Sequence, residues 1–233
     1  KLMEQINLIP LGNLMLGFLP VIILIAVMRL WGLSISNSIY ANIRMLIQLL
    51  LIGYVLTFIF ETDQPIIIGF VVFFMIFMSA WIAMRPLKEK GIYPFIVIFL
   101  SLALSGLAVL ILISQFIVDL PRWFEPSFVV PIAGMIFANS MNTVSLAGER
   151  FFIEKDHGEN YKESRKIALE TALIPQINAL FAVGLVSLPG MMTGQILSGI
   201  EPLMAARYQI MVMCMIFSTA GLSAVTYMAF KKY

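Results

Sequence analysis

The sequence predicts an all-α, polytopic membrane protein with about seven transmembrane helices, and three observations carry that prediction. The 233 residues are 61% apolar and 12% charged, against about 45 to 50% and about 25% in soluble globular domains. Mean hydropathy is +0.96, and apolar runs near the ~20 residues that cross a ~30 Å hydrocarbon core as helix recur along the chain. The runs are continuous rather than alternating, which excludes the ~10-residue alternating strands of an outer-membrane barrel.

The expected spans cover residues 11–33, 38–60, 65–84, 93–118, 128–147, 175–198 and 202–230. Turn and breaker residues separate them, among them Glu61-Thr62-Asp63, Arg85-Pro86, and the stretch holding Pro121 and Pro126. No connector is long enough for a second domain, so residues 1–233 read as one transmembrane domain. Basic residues fix the expected orientation. Arg29, Arg85, Lys88, Lys90, Arg150, Lys155, Lys162, Arg165, Lys166, Lys231 and Lys232 fall on one side, and only Lys1, Arg122 and Arg207 on the other. The positive-inside rule then puts the N-terminus outside and the C-terminus in the cytoplasm.

Residues 149–170 form the one substantial hydrophilic segment, with eleven charged residues among twenty-two. Glu159 and Glu163 are four apart, as are Lys162 and Lys166, a spacing that suits a helix on the membrane surface or against a partner. Gly158 divides the segment, because glycine inside a helix costs about 1 kcal/mol relative to alanine and admits a turn. The expected product is a helical elbow. Glu154, Gly158 and Glu159 are its candidate coupling residues.

The chemistry of the spans excludes several functions. No Asp or Glu lies deep in a span, and the single histidine, His157, is in the charged segment. Paired carboxylates for an intramembrane aspartyl protease, a Ser-His pair and a carboxylate or histidine proton relay all lack their parts. No G-x-x-x-x-G-K-[ST] phosphate loop is present. An enzyme is therefore not expected. Net charge of +2 with scattered basic residues gives no nucleic-acid footprint.

Few polar residues remain at depth. Asn37, Ala41, Arg44 and Gln48 form one helical stripe in the second span. Arg44 either snorkels to a membrane face or points into the bundle or a wet cavity. Asn139 and Asn142 share a face of the fifth span and either join helices or line a polar path. The sixth span is interrupted at Pro189, with Gly190 and Gly194 one small-residue step apart. A broken helix is expected there, and broken backbone persists in a membrane only where it is buried in protein or faces a cavity. Met211, Met213 and Met215 flank Cys214, and thioethers are soft ligands for Cu(I). Residues two apart do not share a helix face, so packing is their expected role and the metal ligands, if any, are unknown.

Several stretches resemble the FetB-type iron-export permeases of ABC transporters, a family with plant relatives linked to aluminium tolerance. They are Arg44, Gln48-Leu49 and Gly53-Tyr54; Pro131 to Met135 with Asn139, Met141 and Asn142; and Ala172 to Pro175 with Val183 to Gly194, continuing through Glu201-Pro202 and Tyr208 to Val212. The departure is Asp156-His157-Gly158-Glu159-Asn160, where the family has an apolar-Gly-Ala-Thr turn and only Gly158 carries over.

The resemblance implies a permease subunit in the cytoplasmic (inner) membrane, paired as a homodimer in the lipid bilayer and served by two copies of a separate ATPase subunit. This chain would bind no cofactor, ATP and Mg being held by the partner. Iron is the implied cargo, exported in support of metal homeostasis. Arg44 also suits an anionic metabolite or nucleotide sugar, and a non-transporting scaffold is a further reading. The candidate path residues are Arg44, Gln48, Asn139, Asn142, Pro189, Gly190 and Gly194.

Overall fold

The structure, a computed structural model, describes residues 10–231; Lys1 and Lys232 of the charge count lie outside them. The elements run α1 (Leu11–Leu16), α2 (Leu19–Leu30), α3 (Ser36–Phe60), α4 (Pro65–Ala83), α5 (Ile92–Ile111) with a π-helical turn (Leu112–Ile117), α6 (Pro126–Asp156), α7 (Tyr161–Ala182), α8 (Gly190–Leu197) and α9 (Pro202–Phe230). Proline opens α4, α6 and α9 within their first turn, where its missing N–H has no intrahelical partner to lose. The fold is all-α and polytopic. Two compact units divide at Thr62 and Asp63, the first holding α1 to α3 and the second α4 to α9.

Among the described residues, six helices are long and apolar enough to cross a membrane: Gly12–Leu30, Ser36–Phe60, Pro65–Ala83, Ile92–Ile117, Pro126–Asp156 and Pro202–Phe230. Large apolar side chains such as Ile66 and Phe70 stand exposed on them, as on a surface solvated by lipid. The expected span 175–198 is not one helix. The helix there, α7, starts at Tyr161 inside the charged segment and stops at Ala182. Its uncharged part, residues 171–182, is about 18 Å long at 1.5 Å per residue, short of a ~30 Å core. A non-helical stretch and the eight-residue α8 follow.

The charged segment 149–170 is built from the ends of two long helices, not from a separate helix lying on a surface. Helix α6 continues to Asp156 and α7 begins at Tyr161. Gly158 turns the chain at φ +91°, a left-handed conformation that glycine adopts without a Cβ clash. Asn160 caps α7, its Oδ1 accepting the N–H of Glu163 at 3.0 Å.

In the second unit α6 is the central helix, packing on α4, α5, α7 and α9. Its buried residues Val129, Ile132, Ala133, Ile136, Phe137, Ser140, Thr143, Val144 and Ala147 recur at helical three- and four-residue steps. Ala147, Ala172 and Ala224, from α6, α7 and α9, form one fully buried cluster with Leu169 against it. Lipid tails offer no apolar contrast to drive helices together, so small residues that admit close approach hold such a crossing.

At the next residue of α6, Leu87, from the connector after α4, is buried over Gly148, where a Cβ would lie 2.6 Å from Leu87 Cδ2 and 3.2 Å from the Tyr227 ring. Gly148→Leu is therefore expected to lower stability by the about 1 to 3 kcal/mol typical of overpacking. At Gly134 an added Cβ meets Met75 Cε at an ordinary 3.5 Å, so Gly134→Ala should keep or raise stability, helix propensity favouring Ala by about 1 kcal/mol. Thermal unfolding of both variants in one detergent measures the contrast.

The same end is tied by polar contacts. Lys88 pairs with Asp156, Tyr161 Oη donates to the Met228 carbonyl at 2.7 Å, and Lys231 Nζ lies 3.3 Å from Glu89 Oε2. Lys231 also stands 3.3 Å over the Phe152 ring, within cation–π range. Burial pushes the Lys231 ammonium down to about 8 from its ordinary 10.5, against the opposing pull of Glu89. Between about pH 8 and 10.5 the folded state has released a proton that the unfolded chain still holds, so this group makes stability rise with pH across that window. Lys231→Met keeps an unbranched apolar chain over the aromatic rings and removes the titration. The wild-type minus variant difference in melting temperature should climb between pH 8 and 10 and stay flat between pH 6 and 7.5.

Candidate transport site

A polar cavity lies along α6 and α7 and has a volume of about 580 Å³. All its walls come from the second unit, from Pro86 onward. Asn139 and Asn142 line it from α6 together with Thr143 and Ser145, and Pro175 and Gln176 face them from α7. Glu149 and Pro86 complete the lining, at the end that carries the charged elbow.

Its local chemistry follows from helix geometry. Asn139 Nδ2 donates to the Met135 carbonyl at 2.8 Å, and Thr143 Oγ1 donates to the Asn139 carbonyl at 3.1 Å, both one turn back. Ser145 Oγ reaches the Ala83 carbonyl at 3.0 Å and so ties α6 to α4. These back-bonds leave oxygens facing α7. Gln176, only 8% exposed, donates through Nε2 to Asn139 Oδ1 at 3.5 Å and Thr143 Oγ1 at 3.4 Å, long contacts at the edge of hydrogen-bond range. Pro175 brings no backbone donor to the wall. The cavity thus presents amide and hydroxyl oxygens with a carboxylate at one end.

Of the sequence-predicted path residues, Asn139 and Asn142 come together here. Arg44 and Gln48 sit on α3 in the first unit, Arg44 half-buried and Gln48 exposed. Pro189 stands just before α8, with Gly190 and Gly194 on α8 itself. A Cβ at Gly190 or Gly194 would meet nothing within 4 Å, so neither glycine serves a close helix contact within the described chain. Of the coupling candidates, Gly158 and Glu159 are exposed at the elbow, whereas Glu154 is 6% exposed and turned inward to Arg150, 2.6 Å away. Gln176 and Glu149 escaped the sequence reading. Gln176 was detectable as a polar residue beside a proline in an apolar stretch, and Glu149 as one helical turn beyond Ser145.

The sequence matches UPF0014, described as an uncharacterised protein family, over residues 11–161 and 155–233. The chain belongs to the UPF0014 family. It is 34% identical over 237 residues to the UPF0014 membrane protein slr1647 of Synechocystis, covering 94% of this chain and 91% of that one. It is 34% identical over 240 residues to the probable iron export permease protein FetB of Escherichia coli, covering 95% and 91%. Protein ALUMINUM SENSITIVE 3 of Arabidopsis thaliana is 30% identical over 226 residues, covering 88% and 81%. The resemblance read from the motifs thus holds for nearly the whole chain. No solved structure is a significant match.

A hydrated cavity and a dry core predict opposite reactivities. With Cys214 replaced by Ser, a cysteine at Asn142, which is exposed, should react with a hydrophilic thiosulfonate in native membranes, whereas one at Ser140, 0% exposed, should stay unmodified. Equal labelling of both would remove the cavity.

Proposed function

We propose that this membrane permease is the transmembrane subunit of an ABC transporter in the cytoplasmic membrane, exporting iron with ATP hydrolysed by a separate subunit. The observation that carries the reading is the cavity of about 580 Å³ lined by Asn139, Asn142, Thr143 and Gln176, with Glu149 at one end. Carboxylate, amide and hydroxyl oxygens suit a hard cation that keeps part of its water shell. A single carboxylate among neutral oxygens attracts such an ion without a multidentate grip, and passage requires release as well as entry. The name carried by the Escherichia coli relative, a probable iron export permease, supports the same cargo.

The elbow supports the coupling half of the proposal. Lys88 pairs with Asp156, so residues 85–91 and the α6–α7 turn form one tied end, from which Glu159 is exposed. A tied end transmits force where a loose tether does not. Two ATPase subunits, holding ATP and Mg, would dock on a permease homodimer there.

Reconstitution with the ATPase subunit in proteoliposomes tests the reading. Ferrous ion is expected to stimulate ATP hydrolysis and to be moved in an ATP-dependent manner. Glu149→Gln with Asn142→Leu should cut transport by about tenfold or more, the loss of roughly 1.4 kcal/mol of transition-state stabilisation, while the complex stays assembled. An ATPase that assembles with the permease but ignores every cation would overturn the cargo. Failure of any ATPase to assemble would overturn the transporter reading itself.

A further inference from the structure

We propose that the notch where α7, α8 and α9 meet is a binding site for a soft monovalent cation of the Cu(I) class, held by Cys214, Met213 and Met192. Ala206, Gln209, Ile210, Met213 and Cys214 line one cavity of about 340 Å³ from α9, a set spaced by three and four that makes a single helical stripe. Met192 of α8 lines it from across, and Val183 and Gly184 close it at the end of α7. The sequence sets Met211, Met213 and Met215 around Cys214, and of the three Met213 lines this cavity with it. The fold supplies a second thioether from another helix.

Three features match this ligand class. A thiolate with two thioethers is a soft donor set, which selects Cu(I) over hard ions. A thiolate and a monovalent cation together are neutral, so the pair can sit among Leu180, Val183 and Ile210 without a net buried charge. Gln209 is 5% exposed, lines the cavity, and its Oε1 has no hydrogen-bond partner among the described residues. The break in helix between Ala182 and Gly190 borders the same cavity, the setting in which irregular backbone is tolerated at membrane depth. On binding, the Cys214 thiol gives its proton to solvent and a sulfur–metal bond forms, with no change of oxidation state.

The purified full-length permease in detergent, without any ATPase, tests the site separately from the transport reading. Cu(I) is titrated in competition with a chromogenic Cu(I) chelator, and Ag(I) serves as an air-stable probe. One equivalent should bind, and binding should protect Cys214 from maleimide. Cys214→Ser should abolish binding, and Met192→Leu and Met213→Leu, which conserve volume, should each weaken it about tenfold. Met211→Leu, on the same helix outside the notch, should leave it unchanged. If Met192→Leu and Met213→Leu both protect Cys214 at wild-type Ag(I) concentrations, the metal is a simple adduct of an exposed thiol and the site does not exist. Displacement of Ag(I) by equimolar Fe(II) would likewise overturn the soft-ligand assignment.

Discussion

The close approach of α6 to α7 and α9 at Ala147, Ala172 and Ala224 is the constraint on which the second unit depends. Helices in lipid gain little from burying apolar surface against one another, so contact depends on how near the backbones can come. Alanine at all three positions, with Gly148 next along α6, permits that approach, and the neighbouring bulky residues are placed by it. Leu87 fills the space over Gly148, and Tyr227 closes it from α9. From there the crossing fixes two things. Toward one end it sets the elbow and its aromatic and ionic ties; toward the other it brings Gln176 of α7 opposite Asn139 and Thr143 of α6.

Composition made the class of protein legible, because twenty apolar residues in a row have few other uses. The span boundaries followed where a proline marked them, as at Pro65 and Pro202. The sixth expected span, residues 175–198, is not one helix for a physical reason: helix continuity and polarity are separate variables. The helical pattern runs unbroken through Tyr161–Ala182, while the switch from charged to apolar falls in the middle of it, so a reading by hydropathy starts the element half-way along.

Half of the polar cavity was visible in the same way and half was not. Asn139 and Asn142 announce themselves by sharing a face of one apolar helix. Gln176 acquires meaning only from α6, more than thirty residues away in sequence, and a single sequence carries no trace of that partner. Glu149 was read as a loop charge because the fifth span was ended at Ala147, although α6 continues nine residues beyond to Asp156. Glu154, a coupling candidate, stands inside α6 in a buried position, where its i,i+4 pairing with Arg150 compensates the charge.

The second unit therefore holds two cavities of opposite chemical character, both beyond its small-residue crossing along α7, and α7 contributes to both. Its Pro175 and Gln176 line the oxygen-rich cavity, and its Leu180 and Val183 border the sulfur-lined one. About one and a half helical turns separate Gln176 from Leu180 and Val183, a distance of roughly 6 to 10 Å at 1.5 Å per residue. A hard, hydrated cation is favoured in the first and excluded by the apolar walls of the second, while a soft cation gains little from amide oxygens and much from thiolate. Movement of the stretch of α7 beyond Pro175 against α6 would alter the first cavity through Gln176 and the second through Leu180 at once, since both side chains stand on that stretch. Pro175 is the point where α7 lacks a backbone hydrogen bond and bends most easily.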